Sequence, residues 1–174
     1  VRGFLLYSDD IAYNGLFGLL PRQYIASDLF ERVEVLRGAS AFLTGATPSG
    51  SGIGGTINLL PKRAPNDPLT HVDLGLVNSK QFNASADLAR RFGPDDSTGL
   101  RLVATHRQGD TAIDREHNKE DLISAGLDWH DADTRLSADL GYQNHHLEAT
   151  RTNVTLASTV TAVPAAADST TNWA

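Results

Sequence analysis

The sequence predicts a mainly β fold, with a mixed α/β portion at the front followed by consecutive antiparallel strands of the kind that build a transmembrane barrel wall. Three observations lead there. Five segments after residue 70 alternate apolar and polar side chains, the period of a strand whose two faces meet different surroundings. From residue 93 onward the connections alternate short and long, as in outer-membrane barrels with short turns on one side and long loops on the other. The chain of 174 residues contains no run of 18 apolar residues, so any membrane crossing has to be made by strands and not by a helix.

At the front, Ser27 or Asp28 caps a short helical turn, and residues 32–36 follow as a strand rich in β-branched side chains. Residues 39–43 form one further helical turn that ends at Gly45, and residues 56–60 make a second strand. Pro61, Pro65 and Pro68 interrupt helix and ladder alike and mark a boundary. Charge divides at the same place. Six Lys/Arg balance six Asp/Glu before it, and nine face fifteen after it, so the net charge of −6 lies wholly in the second part. The expected domains are therefore residues 1–68 and 69–174.

The second part carries the rhythm. Its apolar positions are Val72, Leu74 and Leu76; Phe82, Ala84, Ala86 and Leu88; Leu100, Leu102 and Ala104; Ile123, Ala125, Leu127 and Trp129; and Leu136, Ala138, Leu140 and Tyr142. Residues 78–81 form a tight hairpin, 93–97 a turn, 108–121 a long charged loop and 131–134 a short turn, with a polar stretch from Asn144 onward. The hairpin at 78 falls on the side of the long loops and departs from the pattern. An exterior Arg or Lys at mid-membrane costs about 2–4 kcal/mol, and the apolar faces avoid both except at Arg90, near a strand end where it can reach water. Phe82, Trp129 and Tyr142 near segment ends suit an aromatic girdle. Alternation alone equally fits a soluble sheet with one packed face.

Several motifs lead nowhere. Residues 50–55 match G-x-G-x-x-G, but a strand-like segment follows where a dinucleotide site requires a helix. The six histidines show no metal-binding spacing, and His145 and His146 point to opposite strand faces as plain polar surface. The sequons at Asn83 and Asn153 are matches of pattern only. With no cysteine there is no disulfide, thiolate site or cysteine nucleophile, and no catalytic set has supporting context, so the chain reads as no enzyme. The acidic balance gives no sign of a nucleic-acid partner.

Four blocks occur in order: Val1-Arg2-Gly3-Phe4; Asn14-Gly15-Leu16; the run from Phe30 through Glu31-Arg32-Val33-Glu34-Val35-Leu36-Arg37-Gly38 to Gly45; and Gly54-Gly55-Thr56-Ile57-Asn58 closing on Lys62-Arg63-Ala64-Pro65. Together they resemble the plug domain of TonB-dependent outer-membrane receptors, most closely the ferric-siderophore branch, over residues 1–68. Ala39 and Thr44 stand where the family often has proline and tyrosine, and the approach to Gly54-Gly55 is expanded. The resemblance implies a 22-stranded barrel filled by the plug, of which this chain holds the C-terminal part of the plug and the first strands. The chain begins without an initiator methionine or secretion signal, which reads as an internal piece, and such a piece alone is expected to aggregate or stay partly disordered.

By the same resemblance the receptor has no intrinsic cofactor and binds an iron(III)–siderophore complex. Its partners are outer-membrane lipid and the TonB energy transducer, the latter reached through a segment ahead of this chain. Apical plug loops correspond to residues 5–9 and 18–26, where Tyr7, Arg22 and Tyr24 are candidate ligand contacts. Arg2 and Arg37 match plug arginines that pair with glutamates on the inner barrel wall. Within one architecture the cargo could instead be a corrinoid or a glycan. A soluble nucleotide-binding enzyme requires a helix after Gly55, and a secreted adhesin leaves the ordered plug motifs unexplained.

Overall fold

The computed structural model describes residues 3, 4, 6–21, 24–39, 41–50, 53–77 and 80–149. Two sheets make up the architecture. A 3₁₀ turn at Ser8–Asp10 leads into β1 (Ile11–Tyr13), and Asn14 and Gly15 (φ 50° and 81°) reverse the chain into β2 (Leu16–Phe17). Two left-handed residues in a two-residue hairpin match the twist of the flanking strands, which is why Asn-Gly occupies this turn. A second 3₁₀ turn at Ser27–Leu29 opens β3 (Phe30–Arg37). After it come α1 (Ala41–Thr44) and β4 (Gly55–Pro61).

The sheet order is β2-β1-β4-β3, with β4 parallel to β1 and antiparallel to β3. Gly45, at φ 78°, ends α1 as expected, its N–H donating to the Ala41 carbonyl at 2.9 Å. Gly55 has to be glycine, because its φ is 132° and a Cβ there would strike the Leu36 carbonyl. A strand begins at Gly55, so the dinucleotide reading of the glycine cluster is excluded. The core of this part is small: Ala12, Ala26, Leu59 and Thr56, with Asp10 buried among them.

The second sheet is an antiparallel meander of β5 (Leu69–Val77), β6 (Gln81–Phe92), β7 (Thr98–Asp110), β8 (His117–His130) and β9 (Arg135–Glu148). All five expected strands are present, and β5 and β9 are its edges among the described residues. The expected long loop at 108–121 is corrected to a connection of residues 111–116, and β9 takes in 144–148. Apolar alternation stops before the ladder does. Polar pairs such as Gln108 with Lys119 and Asp110 with His117 continue it, the last with Nδ1 3.0 Å from Oδ1. Strands of 13 and 14 residues exceed the roughly 9–11 that a bilayer requires, so their polar ends extend past an apolar band. The contrast between short and long connections is correspondingly small. The chain beyond Ala149, including Asn153, lies outside the described residues, as do Asn78 and Ser79 of the first hairpin.

The two faces of the meander differ sharply. Val103 and Leu122 are 3% and 4% exposed against the first sheet, whereas their neighbours Ile123 and Leu140 on the other face are 60% and 68% exposed. Leu100 pairs with Leu127 and so shares the outward face. Arg90 is outward as expected, and it is satisfied by the start of β5: Nη1 donates to the Leu69 carbonyl at 2.7 Å and Nη2 to Thr70 Oγ1 at 2.9 Å. Phe82 and Trp129 sit near strand ends. Tyr142 is mid-strand because β9 is longer than the apolar pattern suggested.

Candidate functional site

Residues 62–64 follow β4 and run along the inner face of the meander, which grips them from four strands. From β6, Asp87 accepts from Lys62 Nζ at 2.8 Å. From β7, Arg101 donates through Nε and Nη2 to both Asp87 oxygens at 2.8 Å, and through Nη1 to Glu31 at 2.7 Å and the Arg63 carbonyl at 3.0 Å. From β9, Asp139 receives the Arg63 fork, with Nη2 2.6 Å from Oδ2. Arg91 of β6 completes the set, donating to the Ala64 carbonyl at 2.9 Å and to Asp128 of β8 at 2.8 Å. Gly126 of β8 lets the backbone in: a Cβ there would lie 2.5 Å from the Lys62 carbonyl.

This network is nearly dry, with Arg101 and Asp87 8% and 9% exposed. Guanidinium forks suit such carboxylates because two parallel bonds fix direction as well as distance. Glu31 stands at the start of β3, beside the end of its antiparallel partner β4, so the same arginine ties both strands of the pair at one end.

A second junction lies farther along the wall. Gln143 of β9 accepts from the Ala26 N–H at 2.9 Å and donates to the Tyr24 carbonyl at 2.5 Å, so one side-chain amide acts as a strand partner for the loop. Tyr24 is thereby held at φ 50°, a left-handed conformation costing a tyrosine about 1–3 kcal/mol. Its ring meets His145, two residues along the same face, with centroids 4.7 Å apart and planes tilted by 36°. At the same level run Asn83, Arg107, Glu120 and His145 in cross-strand register. Arg107 Nε donates to Asn83 at 3.3 Å, its Nη1 lies 3.4 Å from Glu120, and its Nη2 lies 3.8 Å from Asp28.

Asp10 organises the front loop. It is 1% exposed and accepts from the Ser49 hydroxyl at 2.5 Å, the Ser49 N–H at 3.0 Å and the Tyr7 N–H at 3.3 Å. Burial pushes this carboxyl up, but the Ser49 and Tyr7 bonds together outweigh it and hold it below the ordinary value.

The residues singled out from sequence fall in different places. Tyr24 reaches the wall. Tyr7 is exposed just before the first 3₁₀ turn and makes no ring contact with Tyr24 among the described residues. Arg37 is exposed at the end of β3 opposite Gly55 and has no ion pair among the described residues. Arg2 and Arg22 lie outside the described residues. Sequence reasoning missed Asp87, Arg101, Asp139, Gln143 and His145. The usable signal was the charge at mid-strand on the polar face: Asp87, Arg101 and Asp139 are too central to be strand ends. His145 is not plain polar surface, since it faces inward onto Tyr24 while His146 faces out.

No protein-family profile matches the chain. It is 43% identical over 173 residues to the ferrichrome receptor FcuA of Yersinia enterocolitica, a match covering 99% of this chain and 23% of that protein. It is 28% identical over 118 residues to the ferripyoverdine receptor of Pseudomonas aeruginosa, covering 67% of this chain and 14% of that one. Among solved structures it resembles BauA, the ferric preacinetobactin receptor from Acinetobacter baumannii, with a TM-score of 0.81, 35% identity and coverage of 87% of this chain and 22% of that chain. The chain spans less than a quarter of the length of the relatives it matches. On sequence and fold together, the chain belongs to the TonB-dependent outer-membrane siderophore receptors, carrying part of their plug and five strands of their barrel.

Proposed function

We propose that the protein imports ferric siderophores across the outer membrane of a Gram-negative bacterium. The observation that carries this reading is the buried ion network joining residues 62–64 to one face of a strand wall whose other face is apolar. That is the construction of a stopper inside a membrane pore. The names of its relatives, receptors for ferrichrome, ferripyoverdine and ferric preacinetobactin, support the cargo class.

In this reading the division between plug and wall falls between residues 68 and 69. Tyr7, Arg22 and Tyr24 face the chelate, and Arg2 and Arg37 pair with wall carboxylates elsewhere in the barrel. Import makes and breaks no covalent bond. The chelate binds where plug loops meet the wall, and TonB then pulls on a segment ahead of Val1 to open a path. Expression of the full-length receptor in a receptor-deficient, TonB-containing host tests the proposal through uptake of radiolabelled iron supplied as siderophore complexes. The expected result is saturable uptake that disappears without TonB. Uptake of a corrinoid or glycan instead, or none of any iron chelate, overturns it.

A further inference from the structure

We infer that the passage opened for cargo runs along the inner face of β8 and β9, and that Arg63 and Asp139 are the positioning pair that closes it at rest. The inference rests on the proposed import of ferric siderophores and adds the route. Two cavities lie end to end along β9. One, of about 490 Å³, lies between the β1–β2 hairpin of the plug and residues 139–143 of the wall. The other, of about 470 Å³, lies towards the short turn at residues 131–134 and is lined by Asn66, Arg91, His130, Arg135 and Ser137. Asp139 lines the first cavity and Arg63 the second, so the fork joining these two side chains is the partition between them. Because β9 is the edge of the described sheet, the strand that follows it in a complete barrel supplies the remaining side of both.

The plug is attached unevenly across the wall. On β6 and β7, Asp87 accepts from Lys62 and twice from Arg101, and the Asp87 and Arg101 side chains are 13% and 9% exposed. Separating them leaves buried charges uncompensated, the costly case. On β9, Asp139 has Arg63 as its one hydrogen-bonding partner among the described residues, and these side chains are 25% and 26% exposed. Each faces a cavity that admits water, so both ions are rehydrated as they part and the penalty is small. The Arg63 carbonyl meanwhile stays bonded to Arg101 at 3.0 Å, so only the guanidinium has to swing for the two cavities to join. Tyr13, at the end of β1, lines the same cavity as Asp139, and a pull on the chain ahead of β1 therefore reaches the pair. The β6–β7 side is the anchor and the β9 side is the door.

Two reversible cross-links in the full-length receptor test the route, with any cysteine elsewhere first changed to serine. Arg63→Cys with Asp139→Cys ties the plug to β9 across the door, and Lys62→Cys with Asp87→Cys ties it to β6 at the anchor. A short bifunctional thiol reagent makes each tie and a reductant releases it. Uptake of radiolabelled iron as a siderophore complex, and binding of that complex in detergent, are measured for both. The door tie is expected to cut uptake at least about tenfold, with binding within about twofold and uptake restored by reductant. The anchor tie is expected to leave uptake within about twofold. Ser137→Trp, which fills the second cavity and leaves both ion pairs in place, keeps the test open where a cysteine pair fails to fold. It is expected to lower the maximal uptake rate at least about threefold, with the half-saturating concentration within about twofold. An unsubstituted receptor that takes up no iron chelate defeats the proposed function and this inference together. Full uptake through the door tie, equal loss through both ties, or an unaffected Ser137→Trp receptor defeats this inference alone.

Discussion

Arg101→Met in the full-length receptor isolates the strength of the plug's attachment. The arginine makes two bonds to Asp87, one to Glu31 and one to the Arg63 carbonyl, and it is 8% exposed. Methionine fills a similar volume without charge and leaves Asp87 buried with a single cation, Lys62 at 2.8 Å. Removing one partner of a buried ion pair costs about 3–5 kcal/mol. Because Lys62 still neutralises Asp87, and Glu31 regains water at 53% side-chain exposure, the lower figure applies. About 3 kcal/mol corresponds to a rise in detached plug on the order of a hundredfold. Limited proteolysis reads that population when opening and closing are fast relative to cleavage. The assay follows cleavage of the plug in detergent micelles, with the barrel's heat-modifiable migration as a check that the wall stays folded. A cleavage rate within about threefold of the unsubstituted receptor, on an intact wall, refutes the reasoning that this network holds the plug in place.

Three further outcomes are expected. Gly126→Ala places a methyl 2.5 Å from the Lys62 carbonyl and should destabilise the plug by about 1–3 kcal/mol, whereas Gly75→Ala, whose nearest neighbour is an Asp73 oxygen at 3.8 Å, should be tolerated; thermal melts of the two variants compare them directly. Asp10 has a folded-state pKa below its unfolded value, so its stabilisation is fully present above about pH 4 and is lost as pH falls through the folded value. Asp10→Asn should flatten plug stability across that acid range, and an unchanged pH profile contradicts the assignment. Arg37→Ala should increase plug cleavage if its partner is a wall carboxylate in the complete barrel, and unchanged cleavage removes that role.

Much of the fold was legible because its signals are local. The β-branched run in β3, Gly45 at the end of α1 and five period-2 segments each follow from nearest-neighbour chemistry. The β1–β2 hairpin was legible too, in Asn14-Gly15 between apolar neighbours, and was passed over because each strand is only two or three residues long. Loop lengths were misjudged for a physical reason: outside an apolar band a strand is sustained by its ladder and by polar cross-strand pairs, which leave no hydrophobic period. The site was the least legible part. Which inward-facing carboxylate of the wall meets which cation of the plug depends on register between segments up to 76 residues apart, as for Arg63 and Asp139. Gln143 acting as a backbone partner for Tyr24 and Ala26 leaves no pattern in either segment.

The central claim is that one face of the meander meets lipid and the other meets the plug. This chain contains no cysteine, so single cysteines introduced into it compete with no native thiol of its own, and any cysteine elsewhere in the full-length receptor is first changed to serine. In the full-length receptor in bilayers, labels at positions 122–125, 127 and 128 report collision with oxygen, which concentrates in lipid, and with a water-soluble nickel chelate, which does not; Gly126 is left unlabelled because a side chain there meets the Lys62 carbonyl. The account predicts a period of two, with Ile123, Ala125 and Leu127 high in oxygen access and low in nickel access, and Leu122, Ser124 and Asp128 low in oxygen access. A reversed phase, or equal nickel access at every position, contradicts it.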